Sequence, residues 1–277
     1  RLRRIIPTLS GYMSYRGRIA PTPTGYLHLG HAQTFWTAHE RCKASNGTLL
    51  FRNEDLDGDR CKEEYQQAAI EDCRWLGIEW KGNPVNQSTR SQCYLKAFKE
   101  LYETGCLYPC TCTRKDIQEA SVAPHGEDGE AIYPGICRQI VSTSINQPAN
   151  WRFRVPEGEK IEFEDAHFGP QTFTCGVDFG DFPVWQKNGA PSYQLAVVVD
   201  DAAMGITEVV RGADLLTSTA RQLLLYTALG LTPPAYYHCE LMRDENGQRL
   251  SKRHDALSLR SLRDQGKTPE ELRSKWP

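Results

Sequence analysis

Hydrophobic residues recur at helical spacing in two segments of the first third of the chain, and a short segment typical of a strand precedes each of them. Residues 29–45 and 61–77 carry apolar side chains near a 3.6-residue period, and the dipeptide NG after the first segment is a typical helix stop. The segments YRGRIAP and TLLFRNED predict strands. The order strand, helix, strand, helix predicts a parallel strand pair with a right-handed crossover.

The rest of the chain continues this pattern around a segment of different composition. Residues 92–105 again have helical spacing, whereas residues 106–140 are rich in Cys, Pro and Gly and predict an insertion. Alternation over 150–185 predicts strands, and the apolar sequence from APSYQLAVVVDD to EVVRG predicts further buried strand. Helices are predicted at 214–229 and near the C-terminus. The pattern favours an α/β fold of the doubly wound, nucleotide-binding type.

Composition and charge exclude several classes of protein. The chain has 277 residues, enough for one or two domains, with 39% hydrophobic and 25% charged residues. No apolar run approaches the roughly 18 residues that a membrane span needs. The net charge of −2 excludes a wholly basic nucleic-acid-binding surface, although it permits a local basic groove. Residues 1–15 are basic, and we interpret them as a short N-terminal extension rather than an organellar transit segment.

The ten cysteines divide into two groups. Seven occur singly, and in a chain of this length we expect them to be buried small hydrophobic residues: Cys42, Cys61, Cys73, Cys93, Cys106, Cys175 and Cys239. Cys110, Cys112 and Cys137 are the candidates for chemistry. A Cys-x-Cys pair near a third cysteine permits a zinc site, but the spacing is less usual than paired Cys-x-x-Cys and does not decide the point.

A histidine turn is the first candidate for phosphate binding, because neither the G-x-G-x-x-G nor the P-loop pattern occurs. In PTPTGYLHLGH, His28 and His31 share one face of the first turn of a predicted helix, whose N–H groups favour anions. Gly30 between them would let a flat base approach the backbone. The alternative is a pair of surface or metal-binding histidines.

A basic loop is the second candidate. The sequence ENGQRLSKRHD places Arg249, Lys252 and Arg253 around Ser251. Alone, it is typical of a solvated surface loop. Together with the histidine turn, it predicts a mobile cationic loop that closes on a triphosphate.

These motifs resemble those of class I aminoacyl-tRNA synthetases. HLGH resembles the HIGH signature of that class, and RLSKR resembles its KMSKS signature. Six segments, in the order of the family, resemble the glutamyl-tRNA synthetase branch: RIAPTPTGYLHLGHA, FRNEDLD, YPCTCTR, FRVPEG, SYQLAVVVDDAAMGITEVVRGADLL and RLSKRHDALSL. The resemblance implies a Rossmann-like doubly wound parallel sheet with an inserted zinc-containing subdomain and a C-terminal helical stem-contact region.

The resemblance also implies domain boundaries. After the extension come the first half of the catalytic domain (16–105), an inserted zinc-binding, acceptor-like subdomain (106–185), the second half of the catalytic domain (186–240) and a KMSKS-type loop with a C-terminal helical region (241–277). The chain ends 24 residues after Arg253, so no anticodon-binding domain is expected. In this respect it resembles the shortened glutamyl-queuosine tRNA(Asp) synthetases of the same branch.

The chemistry that the resemblance implies is ATP-dependent formation of glutamyl-adenylate. His28, His31 and Lys252 would act on the phosphates, with Gly30 and Ser251 as further ATP-binding residues, and Mg²⁺ would arrive with ATP. Glutamate would then pass to queuosine in the anticodon loop of tRNA(Asp). The alternatives are the catalytic core of a synthetase that charges tRNA(Glu), a non-catalytic tRNA-binding paralogue and a small-molecule nucleotidyltransferase. A cytoplasmic monomer without a membrane partner is expected.

The family's motifs also imply a glutamate pocket. Its residues would be Arg18 on the side-chain carboxylate, Arg211 on the α-carboxylate, Glu54 on the ammonium group with Thr22 and the Ala20 backbone, and Tyr193 as a hydrogen-bonding group. Two carboxylates and one ammonium call for at least two cations and one anion. Val197 stands where full-length relatives often have asparagine, which predicts a less discriminating pocket.

The same resemblance implies one structural zinc ion per chain. Cys110, Cys112, Tyr133 and Cys137 would complete a tetrahedral shell, and His125 is the rival fourth ligand. No ligand position would stay open.

Overall fold

The structure is a computed structural model, and it describes residues 14–113, 115–117, 132–140, 144–146, 148–242, 258–274 and 276. The strands are β1 Arg16–Ile19, β2 Thr48–Asn53, β3 Val85–Asn86, β4 Leu107–Cys110, β5 Asn150–Phe153, β6 Lys160–Asp165, β7 Gly169–Thr174, β8 Phe182–Trp185, β9 Glu208–Gly212 and β10 Ala235–Cys239. The helices are α1 Leu29–Ala44, α2 Glu63–Trp75, α3 Ser91–Glu103, α4 Tyr193–Ala203, α5 Leu216–Ala228, α6 Leu259–Asp264 and α7 Pro269–Arg273.

Parallel strand pairs form the centre of the fold. Strand β2 lies between β1 and β3, and β10 lies between β9 and β6, with all four pairings parallel. Strand β9 runs beside β1 in the same direction. Thr207 N donates to Arg16 O at 2.8 Å, and further along both strands Arg18 Nη1 donates to Val210 O at 3.1 Å. The predicted parallel pair and the α/β class are therefore confirmed, and the carboxyl ends of β1, β2, β9 and β10 lie at one edge.

Antiparallel strands supply the rest of the sheet structure. Strands β4, β5 and β8 form a separate three-stranded sheet, and β7 joins β6 as an antiparallel hairpin. Phe98 of α3 stacks on Trp185 of β8 and meets the edge of Trp151 of β5, which ties the antiparallel sheet to the helical layer. The strands predicted over 150–185 are thus present.

Local signals place the first two helices as predicted. His28 caps the N-terminus of α1, and the predicted NG stop follows its end, with Asn46 at a φ of 47°. Helix α2 is followed by Gly77 at a φ of 79°, a left-handed conformation that favours glycine.

The predicted buried strand at YQLAVVVDDAA is wrong, because these residues form helix α4. Ser192 caps it by accepting a hydrogen bond from Leu195 N. Residues 195–198 of the helix are all buried and form an uninterrupted apolar run without an amphipathic period, and the valines favour strand. Val197 is 1% exposed and does not line the cleft described below.

The prediction that the seven isolated cysteines are buried is confirmed for only some of them. All ten cysteines of the chain are free of disulfides. Four of the seven are buried, Cys61 and Cys106 are half-buried, and Cys93 is exposed. Helix α3 buries Tyr94, Ala97, Phe98 and Leu101, so Cys93 falls on the solvent side. Within the described ranges, no helix has both the length and the apolar character that crossing a membrane would need.

One buried carboxylate makes the stability of the fold dependent on pH. Asp72 of α2 is fully buried, and its two oxygens accept no hydrogen bond from the described residues. Burial raises the pKa of Asp72 to about 6, although Arg260 of α6, with Nε 3.6 Å from Oδ1, opposes the shift. The folded state therefore favours protonated Asp72, and this stabilisation is complete below about pH 4 and lost as the pH rises through about 6.

We expect Asp72→Asn to raise the free energy of unfolding by about 1–2 kcal/mol at pH 8, because the amide has no charge to desolvate. At pH 4 the change should be close to zero. Urea denaturation at the two pH values measures the difference, with Glu71→Gln as the control that removes the exposed partner of Arg260. An equal gain at both pH values would contradict this account.

Candidate active site

A cleft of about 890 Å³ lies at the carboxyl ends of β1, β2, β9 and β10. Ligands of open α/β sheets bind at this edge. Nine residues predicted from the sequence line the cleft: Arg18, Ala20, Thr22, His28, Gly30, His31, Glu54, Tyr193 and Arg211. They come from separate parts of the chain. The fold therefore brings these nine residues, which were predicted to bind phosphate or an amino acid, into one cavity.

The two histidines of the cleft form a reciprocal cap at the N-terminus of α1. His28 Nδ1 accepts from Gly30 N at 3.1 Å, and His31 Nδ1 accepts from His28 N at 3.3 Å. Their ring centroids are 3.8 Å apart. Because backbone N–H groups can only donate, each Nδ1 is an acceptor, and the proton of each neutral ring lies on Nε2. The helix cap thus sets the tautomer in which Nε2 is a donor.

Gly30 leaves the space that the His28 ring occupies. A Cβ at this position would lie 3.1 Å from the Cε1 of His28 and 3.2 Å from its Nδ1. This distance is tighter than ordinary contacts, so a side chain would displace the imidazole. The glycine thus preserves the cap as well as access to the backbone.

A network of buried charges lies at the part of the cleft that Arg18 and Glu54 line. Arg52 is fully buried, and it donates to Asp201 Oδ1 at 2.6 Å and to Glu54 Oε1 at 3.0 Å. Arg18 Nε also donates to Asp201, at 3.3 Å. Burial raises the pKa of Glu54, although Arg52 and Arg18 oppose the shift. Burial would also raise the pKa of Asp201, but the same two arginines outweigh it and lower that pKa.

Arg211 is held differently from the other two arginines. Its Nε donates to His238 Nε2 at 3.2 Å and its Nη2 donates to Thr219 Oγ1 at 2.6 Å, so its partners are uncharged side-chain atoms. Its Nη1 has no hydrogen-bond partner among the described residues. Tyr193, the first residue of α4, is 37% exposed and lies on the same cleft.

The basic loop at residues 245–255 lies outside the described residues, and so do its predicted site residues Ser251 and Lys252. The residues on either side of it are at the cleft. Met242 lines the cavity, and Ser258 forms a β-bridge with His28. Leu259 N also donates to Leu27 O at 2.8 Å.

Sequence reasoning missed several residues of this site. Arg52 and Asp201 are buried in the charge network, and Asp165 and His238 stand behind Arg211. Asp214 and Glu240 also line the cleft. A usable signal existed for the last two, because each follows the carboxyl end of a cleft strand within two residues.

Three cysteines form a candidate metal site beside β4. The Sγ atoms of Cys110, Cys112 and Cys137 all lie within 4.8 Å of one another. The hydroxyl of Tyr133 is 3.5 Å from Cys110 Sγ and 3.6 Å from Cys112 Sγ. Ligands of a tetrahedral zinc ion stand about 3.5–3.8 Å apart, given bonds of about 2.0–2.3 Å. The Cys112–Cys137 sulfur separation of 3.4 Å and the two Tyr133 distances are close to this size, and three thiols with a phenol are donors that suit zinc.

A cation stands next to this candidate site. Arg152 Nε lies 3.3 Å from Cys110 Sγ, and its guanidinium carbon is 3.8 Å from the centre of the Tyr133 ring. The guanidinium therefore places a positive charge beside the sulfur and oxygen donors of the candidate site. The rival ligand His125 lies outside the described residues.

Comparisons with known proteins agree with this geometry. The family model for class I tRNA synthetases (E and Q), catalytic domain, matches residues 14–275. A glutamyl-Q tRNA(Asp) synthetase of Nitratidesulfovibrio vulgaris is 45% identical over 269 residues, which cover 91% of this chain and 82% of that protein. A glutamate–tRNA ligase of Aquifex aeolicus is 39% identical over 261 residues, 92% of this chain and 55% of that protein.

Solved structures give the same result. A glutamate tRNA ligase from Elizabethkingia meningosepticum, in complex with its amino acid, superposes with a TM-score of 0.74 at 27% identity, over 87% of this chain and 52% of that one. The chain thus spans about half the length of this solved structure.

Proposed function

The chain belongs to the class I tRNA synthetase family of the E and Q type, as its motifs predicted, and from this premise we propose that it joins glutamate to queuosine in tRNA(Asp). The family consists of ATP-dependent ligases, which agrees with the predicted enzyme class. The observation that carries the proposal is the single cleft that combines two Nε2–H donors at a helix N-terminus with two arginines and a glutamate.

The charges of the cleft support an acidic amino acid as substrate. Arg18 and Arg211 are the cations, and each lines the cavity while being 4% exposed. Glu54 is the anion, 8% exposed. Glutamate carries two carboxylates and one ammonium, so Arg18 would bind the side-chain carboxylate, Arg211 the α-carboxylate and Glu54 the ammonium group. Ala20, Thr22 and Tyr193 would complete the pocket.

The histidine turn would bind the phosphates of ATP. With their protons on Nε2, His28 and His31 can donate to phosphate oxygens, and the N-terminus of α1 adds its own positive potential. Lys252 is ten residues after Met242 and six before Ser258, both at the cleft, so it is within chain reach of the same phosphates. Ser251 and Gly30 would be further ATP contacts. Mg²⁺ bound with ATP would neutralise part of the phosphate charge.

The reaction needs no nucleophile from the protein. The α-carboxylate of glutamate attacks the α-phosphorus of ATP, the bond to the bridging oxygen breaks, and pyrophosphate leaves with the electron pair. Negative charge then builds on the α-phosphate and on the leaving pyrophosphate, where the imidazole donors and Lys252 stabilise it. The glutamate pocket holds the attacking oxygen in place, so catalysis is positioning and charge stabilisation.

Zinc would have a structural role in this protein. Cys110, Cys112, Cys137 and Tyr133 would hold it with four ligands, which leaves no position for a substrate. The site follows β4, so the metal would fix the Cys-rich segment against the antiparallel sheet.

Transfer to queuosine is supported by several relatives that are named glutamyl-Q tRNA(Asp) synthetase and are 39–45% identical to this chain. The second candidate is charging of tRNA(Glu), which is favoured by the similarity to glutamate–tRNA ligases. Both functions proceed through glutamyl-adenylate. They differ in the nucleic acid that accepts the glutamate, and this difference can be tested.

The test is glutamate-dependent ATP–pyrophosphate exchange without tRNA, followed by transfer of labelled glutamate. We expect exchange without tRNA and label on queuosine-containing tRNA(Asp), with no label on tRNA(Asp) that lacks queuosine or on tRNA(Glu). Removing the 3′-terminal adenosine of tRNA(Asp) should not reduce the label, because the acceptor is the modified base. Charging of tRNA(Glu) that requires its terminal adenosine would contradict the proposal and support the second candidate.

A further inference from the structure

A buried chain of hydrogen bonds stands behind Arg211 and is not part of the substrate pocket. Asp165 Oδ2 is 2.6 Å from His238 Nδ1, and His238 Nε2 is 3.2 Å from Arg211 Nε. Asp165 and His238 are 1% and 0% exposed, and neither lines the cleft. The three residues come from β6, β10 and β9, which are adjacent in one sheet.

The partners of His238 define its tautomer. Burial, helped by Arg211, lowers the pKa of His238 although Asp165 opposes this. The Arg211 Nε–H is directed at Nε2, which can accept only when it carries no proton, so the ring is neutral. Asp165 is an acceptor, and its Oδ1 already receives N–H bonds from His167 at 3.0 Å and Phe168 at 2.9 Å. His238 Nδ1 therefore carries the proton, and Nε2 accepts from the Arg211 Nε–H. This tautomer is the opposite of the one that α1 imposes on His28 and His31.

The chain of bonds fixes the orientation of the Arg211 guanidinium. His238 and Thr219 occupy its Nε and Nη2 on one edge, while Nη1 has no partner among the described residues. The group is planar, so two bonds on one edge determine where Nη1 lies. Its position is thereby set before a ligand arrives.

A histidine also leaves the charge of Arg211 available to a ligand. Arg52 is bonded directly to two carboxylates, and Arg18 is bonded to one. Arg211, in contrast, is bonded to a neutral imidazole nitrogen and a hydroxyl group. A carboxylate in place of the imidazole would neutralise the arginine and compete with a carboxylate of the substrate.

We propose that His238, oriented by Asp165, is a positioning residue that aims Arg211 at the α-carboxylate of the amino-acid substrate. This inference rests on the proposed function for the identity of the ligand, but the hydrogen-bond arrangement is independent of it. His238 acts through Arg211 and touches no reacting atom.

Two substitutions test the roles of the two ring nitrogens of His238 separately. His238→Gln keeps an amide acceptor near the position of Nε2 and loses the donor to Asp165, whereas His238→Asn keeps a donor near Nδ1 and loses the acceptor for Arg211. We expect His238→Asn to raise the KM for glutamate in pyrophosphate exchange by about 10- to 100-fold, the usual effect of removing an orienting group. His238→Gln should stay within about fivefold of the wild type, and the KM for ATP should change by less than about twofold in both.

Equal effects of the two variants on the KM for glutamate, or a parallel rise in the KM for ATP, would show a structural role and overturn the inference. A measurement on the wild-type protein covers the case in which a variant does not fold. ¹⁵N NMR of the histidine side chains at pH 7.5 should show His238 protonated on Nδ1 and unprotonated on Nε2, and the reverse tautomer would overturn the inference. Absence of glutamate-dependent exchange in the wild type would instead contradict the proposed function, and the NMR result would still decide the tautomer.

Discussion

Replacement of His28 by asparagine is expected to lower glutamate-dependent pyrophosphate exchange by about a hundredfold to a thousandfold, the scale of losing one preorganised donor. The amide oxygen of asparagine can take the place of Nδ1 and accept from Gly30 N, so the cap of α1 is retained. The Nε2–H donor, in contrast, has no equivalent in asparagine. The substitution thus separates the capping role of His28 from its role toward phosphate.

His28→Ala is the matched control, because it removes both functions of the side chain. It should lose the same activity as His28→Asn and should also lower the free energy of unfolding by about 1 kcal/mol, the usual cost of a lost N-cap. Urea denaturation and exchange assays on the same preparations measure the two effects. Near wild-type exchange by His28→Asn would mean that His28 only caps the helix.

The second large effect is expected at the proposed zinc site. We expect one zinc ion per chain in protein purified without chelators, and we expect Cys137→Ser to weaken its affinity by more than about a hundredfold. Serine is a poor replacement, because the thiolate is the preferred zinc ligand and its charge is lost. Competition with a chromophoric chelator measures the affinity, and hydrogen exchange of β4 and β5 should show faster opening of the neighbouring sheet.

Cys93→Ser is the matched control for the metal site, because Cys93 is exposed on α3. Equal zinc retention by Cys93→Ser and Cys137→Ser would contradict the assignment. Tyr133→Phe and His125→Ala distinguish the two rival fourth ligands. We expect the first to weaken zinc binding and the second to leave it unchanged, since the Tyr133 hydroxyl is already within 3.6 Å of two thiols.

Short-range patterns predicted the parts of the fold that depend on neighbours in sequence. The NG dipeptide after α1 and Gly77 after α2 mark helix ends because their backbone conformation is a local property. The histidine pair was also readable, since residues three apart in the first turn share one helical face. Helix α4 was not readable, because the uninterrupted buried run at residues 195–198 removes the period by which a helix is recognised.

Long-range contacts explain why part of the site was missed. His238 lies 27 residues from Arg211 and 73 from Asp165, and no spacing rule relates positions that meet only when β6, β9 and β10 align. The same holds for Arg52 and Asp201, which are 149 residues apart. A buried arginine in a strand has no sequence signature until its carboxylate partners are known.

The sequence by itself determined which chemical groups are available to this protein. The histidine turn follows from residue type and short spacing, whereas the proposed amino-acid clamp and zinc ligands were predicted from the resemblance of separate segments to family motifs. Only the tertiary structure determined the protonation and the orientation of those groups. The cap of α1 places the protons of His28 and His31 on Nε2, and the parallel strands set a neutral histidine behind Arg211. Protonation and orientation depend on the partners that surround a side chain, and folding assembles those partners from distant parts of the chain.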